Sequence, residues 1–228
     1  MRFSRLAIGF CLVLCSLAAF SQDQSKVQVF GGYSLLHVGS GGIDQAVLDS
    51  ISPAGTFNLK SNFSGWNGEF QYNINNWVGA VADVSGNYGT RLIPTSLSGI
   101  AQPPNGRSYT FMVGPVVQQS EGKLRPFAHF LLGFNRETSD LASTVDSVFL
   151  TGSPTAATNL TDTAFALAFG GGLDWKAGRN VAVRLGQLDY IYTRHDYSTV
   201  SNDLGLDNDL THQNSLRYSA GLVFNFGK

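Results

Sequence analysis

NSLRYSAGLVFNFGK, residues 214–228, is the stretch whose reading decides the fold. Leu216, Tyr218, Ala220, Leu222, Phe224 and Phe226 alternate with Arg217, Ser219, Gly221, Val223 and Asn225. A period of two with one largely apolar face, carrying aromatics near both ends, is the pattern of a β-strand. A soluble sandwich turns such a face to its core, whereas a membrane barrel turns it to lipid, with aromatic rings at the two water interfaces.

Upstream, the same pattern recurs seven times. Lys26 to Leu36 places Val27, Val29, Gly31, Tyr33 and Leu35 on one face. From Phe63, the residues Trp66, Phe70, Tyr72 and Ile74 oppose Asn67, Glu69, Gln71 and Asn73, and Asn75-Asn76 makes a tight turn, asparagine being tolerant of left-handed backbone angles. Trp77 to Gly89 sets Val78, Ala80, Ala82, Val84 and Tyr88 against Asp83, Ser85 and Asn87. Tyr109, Phe111, Val113, Pro115 and Val117 face outward from a fourth strand, where the proline must sit at a position that needs no N–H.

A turn at Ser120 to Lys123 leads to a fifth strand, Arg125 to Arg136, with Ala128, Phe130, Leu132 and Phe134 on one face and Arg125, His129 and Asn135 on the other. Phe165, Leu167, Phe169 and Leu173 face out from the sixth, opposite alanines, glycines and Asp174, and Lys176 to Asn180 turn the chain again. The seventh, Val181 to Arg194, breaks parity: Arg184 lies on an even position, but Gln187 and Asp189 lie on odd ones. One extra residue near Leu185-Gly186 restores them to one side, which predicts a β-bulge hosted by the glycine.

The strands so read run to about 10–14 residues, enough to cross a bilayer at a tilt. Long connections near 37–62, 90–106, 138–162 and 195–213 alternate with three short turns. That asymmetry predicts an all-β chain folded as an eight-stranded antiparallel up-and-down transmembrane β-barrel, with short periplasmic turns and long extracellular loops.

The N-terminus fits secretion. Arg2 and Arg5 precede an apolar run from Leu6 to Phe20 that ends in Ala19-Phe20-Ser21, so residues 1–21 read as a signal peptide and 22–228 as a single barrel domain. The run is short for a spanning helix, which needs about 20 residues. Both cysteines, Cys11 and Cys15, fall in the signal, which leaves the mature chain no disulfide or thiolate chemistry. Without Arg2 and Arg5 there are 13 basic against 16 acidic residues, a balance that offers no basic surface to nucleic acid.

The segments GWNGEFQYNINNWVGAVADVSGNYG (65–89), RPFAHFLLGF (125–134), GGGLDWK (170–176), VAVRLGQLDYIYTR (181–194) and RYSAGLVFNFG (217–227) resemble, in this order behind a signal peptide, the eight-stranded outer-membrane β-barrel proteins, OmpA-like in their transmembrane domain and often labelled porin-family. The resemblance implies an integral protein of the bacterial outer membrane. Its implied partners are outer-membrane lipid, lipopolysaccharide and the outer-membrane insertion machinery, and it implies no cofactor. It also implies a C-terminal insertion signal carried here by Tyr218, Leu222, Phe224 and Phe226, although Gly227 and Lys228 follow where the family ends in an aromatic residue. Cell-wall tethering is not carried over, since no peptidoglycan-binding segment is seen after the barrel.

The ionisable residues on strand faces opposite the apolar ones form the candidate site: Glu69, Asp83, Arg125, His129, Asp174, Arg184, Asp189 and Arg217. Charges avoid lipid, so they are expected in the lumen, which at eight strands is only wide enough to be filled by side chains. They serve either as a salt-bridged plug or as a gate whose rearranged pairs pass small ions. Catalysis is not expected: His195, Asp196 and Ser198 cluster in the last long loop with His212 across it, but Tyr197 stands where a His-x-Ser pair would need its serine. Asn202, Asp203, Asp207, Asn208 and Asp209 lack the spacing of a calcium loop and read as solvated, so no metal site is expected. Gly170 to Gly172 lie within a strand and lack the lysine and helix of a phosphate loop. The aromatics Trp66, Trp77, Trp175, Tyr88, Tyr190 and Tyr192 suit interfacial girdles.

The expected function is therefore a structural, adhesive or narrowly permeable outer-membrane barrel. The rival class is a soluble small-ligand barrel of the lipocalin kind, which requires an apolar interior; a barrel hydrolase is a more distant third.

Overall fold

Eight strands follow one another in the computed structural model: β1 (Val27–Val38), β2 (Ser61–Asn73), β3 (Val78–Thr90), β4 (Asn105–Gln118), β5 (Leu124–Ser139), β6 (Leu160–Lys176), β7 (Val181–Arg194) and β8 (His212–Phe226). The structure describes residues 25–39, 61–90, 105–139, 160–194 and 212–227, so the signal peptide and the His195, Asp196, Ser198 and Asp203–Asp209 expectations lie outside the described residues. Each strand pairs antiparallel with the next, and β1 pairs with β8, which closes the barrel and leaves no free sheet edge. Several strands run longer than the alternation of apolar residues suggests, β5 to 16 and β6 to 17 residues. The reason is that a ladder needs only backbone groups: Glu137↔Asp162 and Thr138↔Thr161 extend it with polar side chains beyond the apolar band.

The register fixes the strand tilt. Followed around the wall, the ladder runs Val29, Phe70, Ala82, Val113, Leu132, Leu167, Tyr192, Asn214, and returns to β1 where Gly39 N donates to Asn214 O at 2.9 Å. The return point is ten residues beyond the start, a stagger that tilts eight strands by roughly 40°.

Local chemistry explains the punctuation. Asn75 shapes the β2–β3 turn through its side chain, whose Oδ1 accepts from Trp77 N (2.9 Å) and Val78 N (2.8 Å), an Asx turn. Gly122, in the β4–β5 turn, sits at φ 88°, where a side chain would be strained. Pro115 coincides with a gap in the β4–β5 ladder between Val113↔Leu132 and Val116↔His129, so its missing N–H leaves no partner stranded.

The bulge lies where parity demanded it. Opposite β6, Leu173 pairs with Gly186 but Asp174 pairs with Arg184, so Leu185 is the extra residue, and the β8 register shifts between Arg184 and Gln187. Tyr218 donates its hydroxyl to Leu185 O at 3.1 Å and so satisfies a carbonyl on the bulge. Tyr218→Phe is expected to lower stability by about 0.5–1.5 kcal/mol, the net worth of one hydrogen bond; the urea midpoint of the folded barrel checks this.

Alternation sorts the two faces of the wall. Val29, Trp66, Phe70, Phe111, Phe130, Leu132, Phe169, Leu222 and Phe226 stand on the exterior. Inside are the ionisable residues of β2, β3 and β5 to β8, and also a set of large apolar residues that the sequence reading does not name as inward-facing: Phe30, Leu36, Val38, Phe63, Met112, Phe127, Leu131 and Ile191, all buried. A narrow barrel must fill its interior to protein density, and where no charge has a partner, hydrocarbon fills it at least cost.

Candidate functional site

β2, β3 and the strands β5 to β8 aim their inward charges at one another across the lumen. Two arginines organise them. Arg184, 2% exposed, donates from Nε to Asp174 Oδ1 (2.8 Å), from Nη1 to Glu69 Oε2 (2.6 Å) and from Nη1 to Gln187 Oε1 (2.5 Å). Its guanidinium lies 4.3 Å from the Phe30 ring centre and 4.1 Å from that of Phe127, so two lumen aromatics cover a desolvated cation. Arg217, fully buried, forms a fork on Asp83 (Nη1–Oδ1 2.8 Å, Nη2–Oδ2 2.9 Å) and reaches Asp189 Oδ2 from Nε (3.0 Å) and Nη2 (2.8 Å).

Gln187 joins these two groups. Its Nε2 donates to Glu69 Oε1 at 2.7 Å and to Asp189 Oδ2 at 2.8 Å, while its Oε1 accepts from Arg184. Asn67 adds a donor to Asp83 Oδ2 (2.7 Å), and Ser85 accepts from Arg217 Nη1 (3.0 Å) and bonds to Thr110. His129 donates from Nε2 to Asp189 Oδ1 at 2.8 Å. The outcome is one continuous network from Asp174 to Thr110, with four carboxylates against two arginines and a histidine. Carboxylates this deep in a protein are tolerated only when paired and hydrogen-bonded, and here each one is.

Of the eight ionisable residues expected together, seven meet in this network and Arg125 does not. Its ladder partner is Asp174, but both oxygens of that carboxylate are occupied by Arg184, with Gln118 Nε2 also near at 3.4 Å. Arg125 is left at the short-turn end, buried, with an Nε that has no hydrogen-bond partner. Sequence reasoning passed over Gln187, Phe30 and Phe127 as site residues. Parity was the available signal, since Phe30 lies opposite Val29 and Tyr33, and Phe127 lies between Arg125 and His129 on one face.

The glycine run in β6 has a part in this arrangement. A Cβ on Gly170 would overlap Asp189 Oδ1 and the backbone of β7, so glycine there makes room for the network. His129 pairs with Asp189 through Nε2, and its buried Nδ1 makes no hydrogen bond among the described residues. Among the described residues no group of three or more His, Cys, Asp or Glu could hold a metal ion. Tyr218, Leu222, Phe224 and Phe226 of β8 lie on the exterior wall, not in the lumen.

A closed eight-stranded antiparallel barrel, with aromatic and aliphatic side chains outside and a charged network within, has the fold of the small outer-membrane barrels. Solved structures bear this out. Neisserial surface protein A aligns with a TM-score of 0.54 at 15% identity, over 90% of this chain and 100% of that one. Ail, the attachment invasion locus protein of Yersinia pestis, aligns at 0.50 and 14% identity, over 89% and 100%. The outer membrane protein OprG from Pseudomonas aeruginosa aligns at 0.50 and 9% identity, over 91% and 99%. No family model and no curated protein sequence matches the chain.

Proposed function

We propose that this chain is an integral, non-enzymatic protein of the bacterial outer membrane whose barrel is sealed by its own side chains and whose four long connections face the exterior. The observation that carries the reading is the division of the wall: ion pairs inside, and outside a band in which Phe70, Phe111, Phe134 and Phe169 are each more than half exposed. Such a surface is soluble only in hydrocarbon, and water would drive it to aggregate. The three short turns then face the periplasm. Support of the envelope is the role that needs nothing beyond this geometry, and adhesion through the long connections is its variant. Outer-membrane lipid and lipopolysaccharide surround the barrel, and the insertion machinery engages β8 during biogenesis.

Two features speak for a plug over a gate. Both arginines are fully committed to partners, and apolar side chains pack the lumen beyond them, Phe63 and Met112 being wholly buried. The same packing speaks against a lipocalin-like cavity, since Phe63 and Met112 belong to a cluster of buried apolar side chains within the barrel. Purified protein in planar bilayers is expected to show no steady conductance; steady channels abolished by Arg184→Ala would overturn the plug. A protein extracted from membranes without detergent, and lacking a heat-modifiable band on electrophoresis, would overturn the membrane assignment itself.

A further inference from the structure

We infer that the short-turn mouth of the barrel is a binding site for a soluble phosphate or phosphate monoester. A cavity of about 340 Å³ opens there, lined by Ser25, Arg125, Lys176, Arg179, Asn180 and Asn225. Its volume lies at the small end of the range for small-molecule sites, about 300–1,000 Å³. Three of the residues lining it are cations, and none is an acid.

Arg125 makes the site more than a patch of surface charge. It is 9% exposed, and its Nε has no hydrogen-bond partner. A buried guanidinium ordinarily carries a carboxylate or several acceptors. The obvious counterion, Asp174, is already held by Arg184 through two nitrogens. Arg125 therefore lines the cleft with a planar donor group whose Nε is unpaired and whose neighbouring carboxylate, Asp174, gives both of its oxygens to Arg184, an arrangement suited to phosphate oxygens. Lys176 and Arg179 add point charges, and the amides of Asn180 and Asn225 offer further donors.

The cleft is held open by backbone that is already satisfied. Asn225 N donates to Asn180 O (2.9 Å), Gly178 N to Val181 O (2.9 Å) and Lys176 N to Lys123 O (2.8 Å), while Ser25 Oγ reaches Phe226 O (2.8 Å). None of these contacts needs an anion to form. Because Arg125 stands on the lumen face of β5 with His129, the ligand enters from water at the mouth and not from the lipid around the wall. This site is separate from the Arg184 and Arg217 network and goes beyond the envelope role proposed above.

The test is isothermal titration of the full mature chain in nonionic detergent with inorganic phosphate and with glycerol 3-phosphate, at constant ionic strength in chloride. Saturable one-to-one binding is expected. Arg125→Gln and Arg179→Gln should each weaken it by about tenfold or more, the worth of one charge-assisted contact. Lys123→Gln, which removes the same charge from a neighbouring turn outside the cleft, should leave binding unchanged. Arg179 lies in an exposed turn, so its variant reports even if Arg125→Gln fails to fold. Absence of saturable binding, equal loss in Lys123→Gln, or binding only when the phosphate is carried on phosphatidic acid in nanodiscs would each overturn the assignment.

Discussion

Arg217→Ala is expected to destabilise the barrel by about 3–5 kcal/mol, the usual cost of removing one partner from a buried ion pair. Arg217 is fully buried and donates to Asp83, Asp189 and Ser85. Without it, Asp83 retains Asn67 and Asp189 retains His129 and Gln187, but two carboxylates then face one another with no arginine between them. Urea unfolding in phospholipid vesicles, followed through tryptophan fluorescence, measures the loss. Adding Asp83→Asn and Asp189→Asn to the same chain should recover part of it, because the penalty is mainly that of uncompensated buried charge. A loss below about 1 kcal/mol would instead match exposed, solvated pairs and so mean a water-filled lumen.

Leu132→Arg is expected to cost about 2–4 kcal/mol, the penalty for an arginine on the lipid face near the bilayer midplane. Leu132 lies in the middle of β5 on the exterior, with Phe130 and Phe134 beside it on the same face. The penalty should shrink toward about 0–1 kcal/mol for the same substitution at Leu124, at the strand's short-turn end. A soluble barrel would show no such depth dependence, since its exterior would meet water along the whole strand. The comparison in vesicles thus separates the two classes of barrel directly.

The legible part of this fold is what period two can encode. The alternation at Leu216, Tyr218 and Leu222 assigns faces, and the conflict between Arg184 and Gln187 locates a bulge at Leu185. Turn chemistry at Asn75 and Gly122 marks where hairpins reverse. The lumen was legible as a face but not as a set of partners. Parity places Arg125 and Arg184 on the same side, yet says nothing of which one Asp174 will take. Nor does it show that Gln187, neutral and easily passed over, bridges Glu69 to Asp189.

Sequence alone therefore determined the number of strands and the alternation of their two faces, because these depend on residues adjacent in the chain. The tertiary structure decided the pairings. Glu69 and Arg184, 115 residues apart, meet because the ten-residue stagger of the closed wall brings β2 opposite β7 at one height. Stagger and closure belong to the whole cylinder, and they settle which buried charge is held by hydrogen bonds and which, like Arg125, keeps an unpaired nitrogen at the mouth.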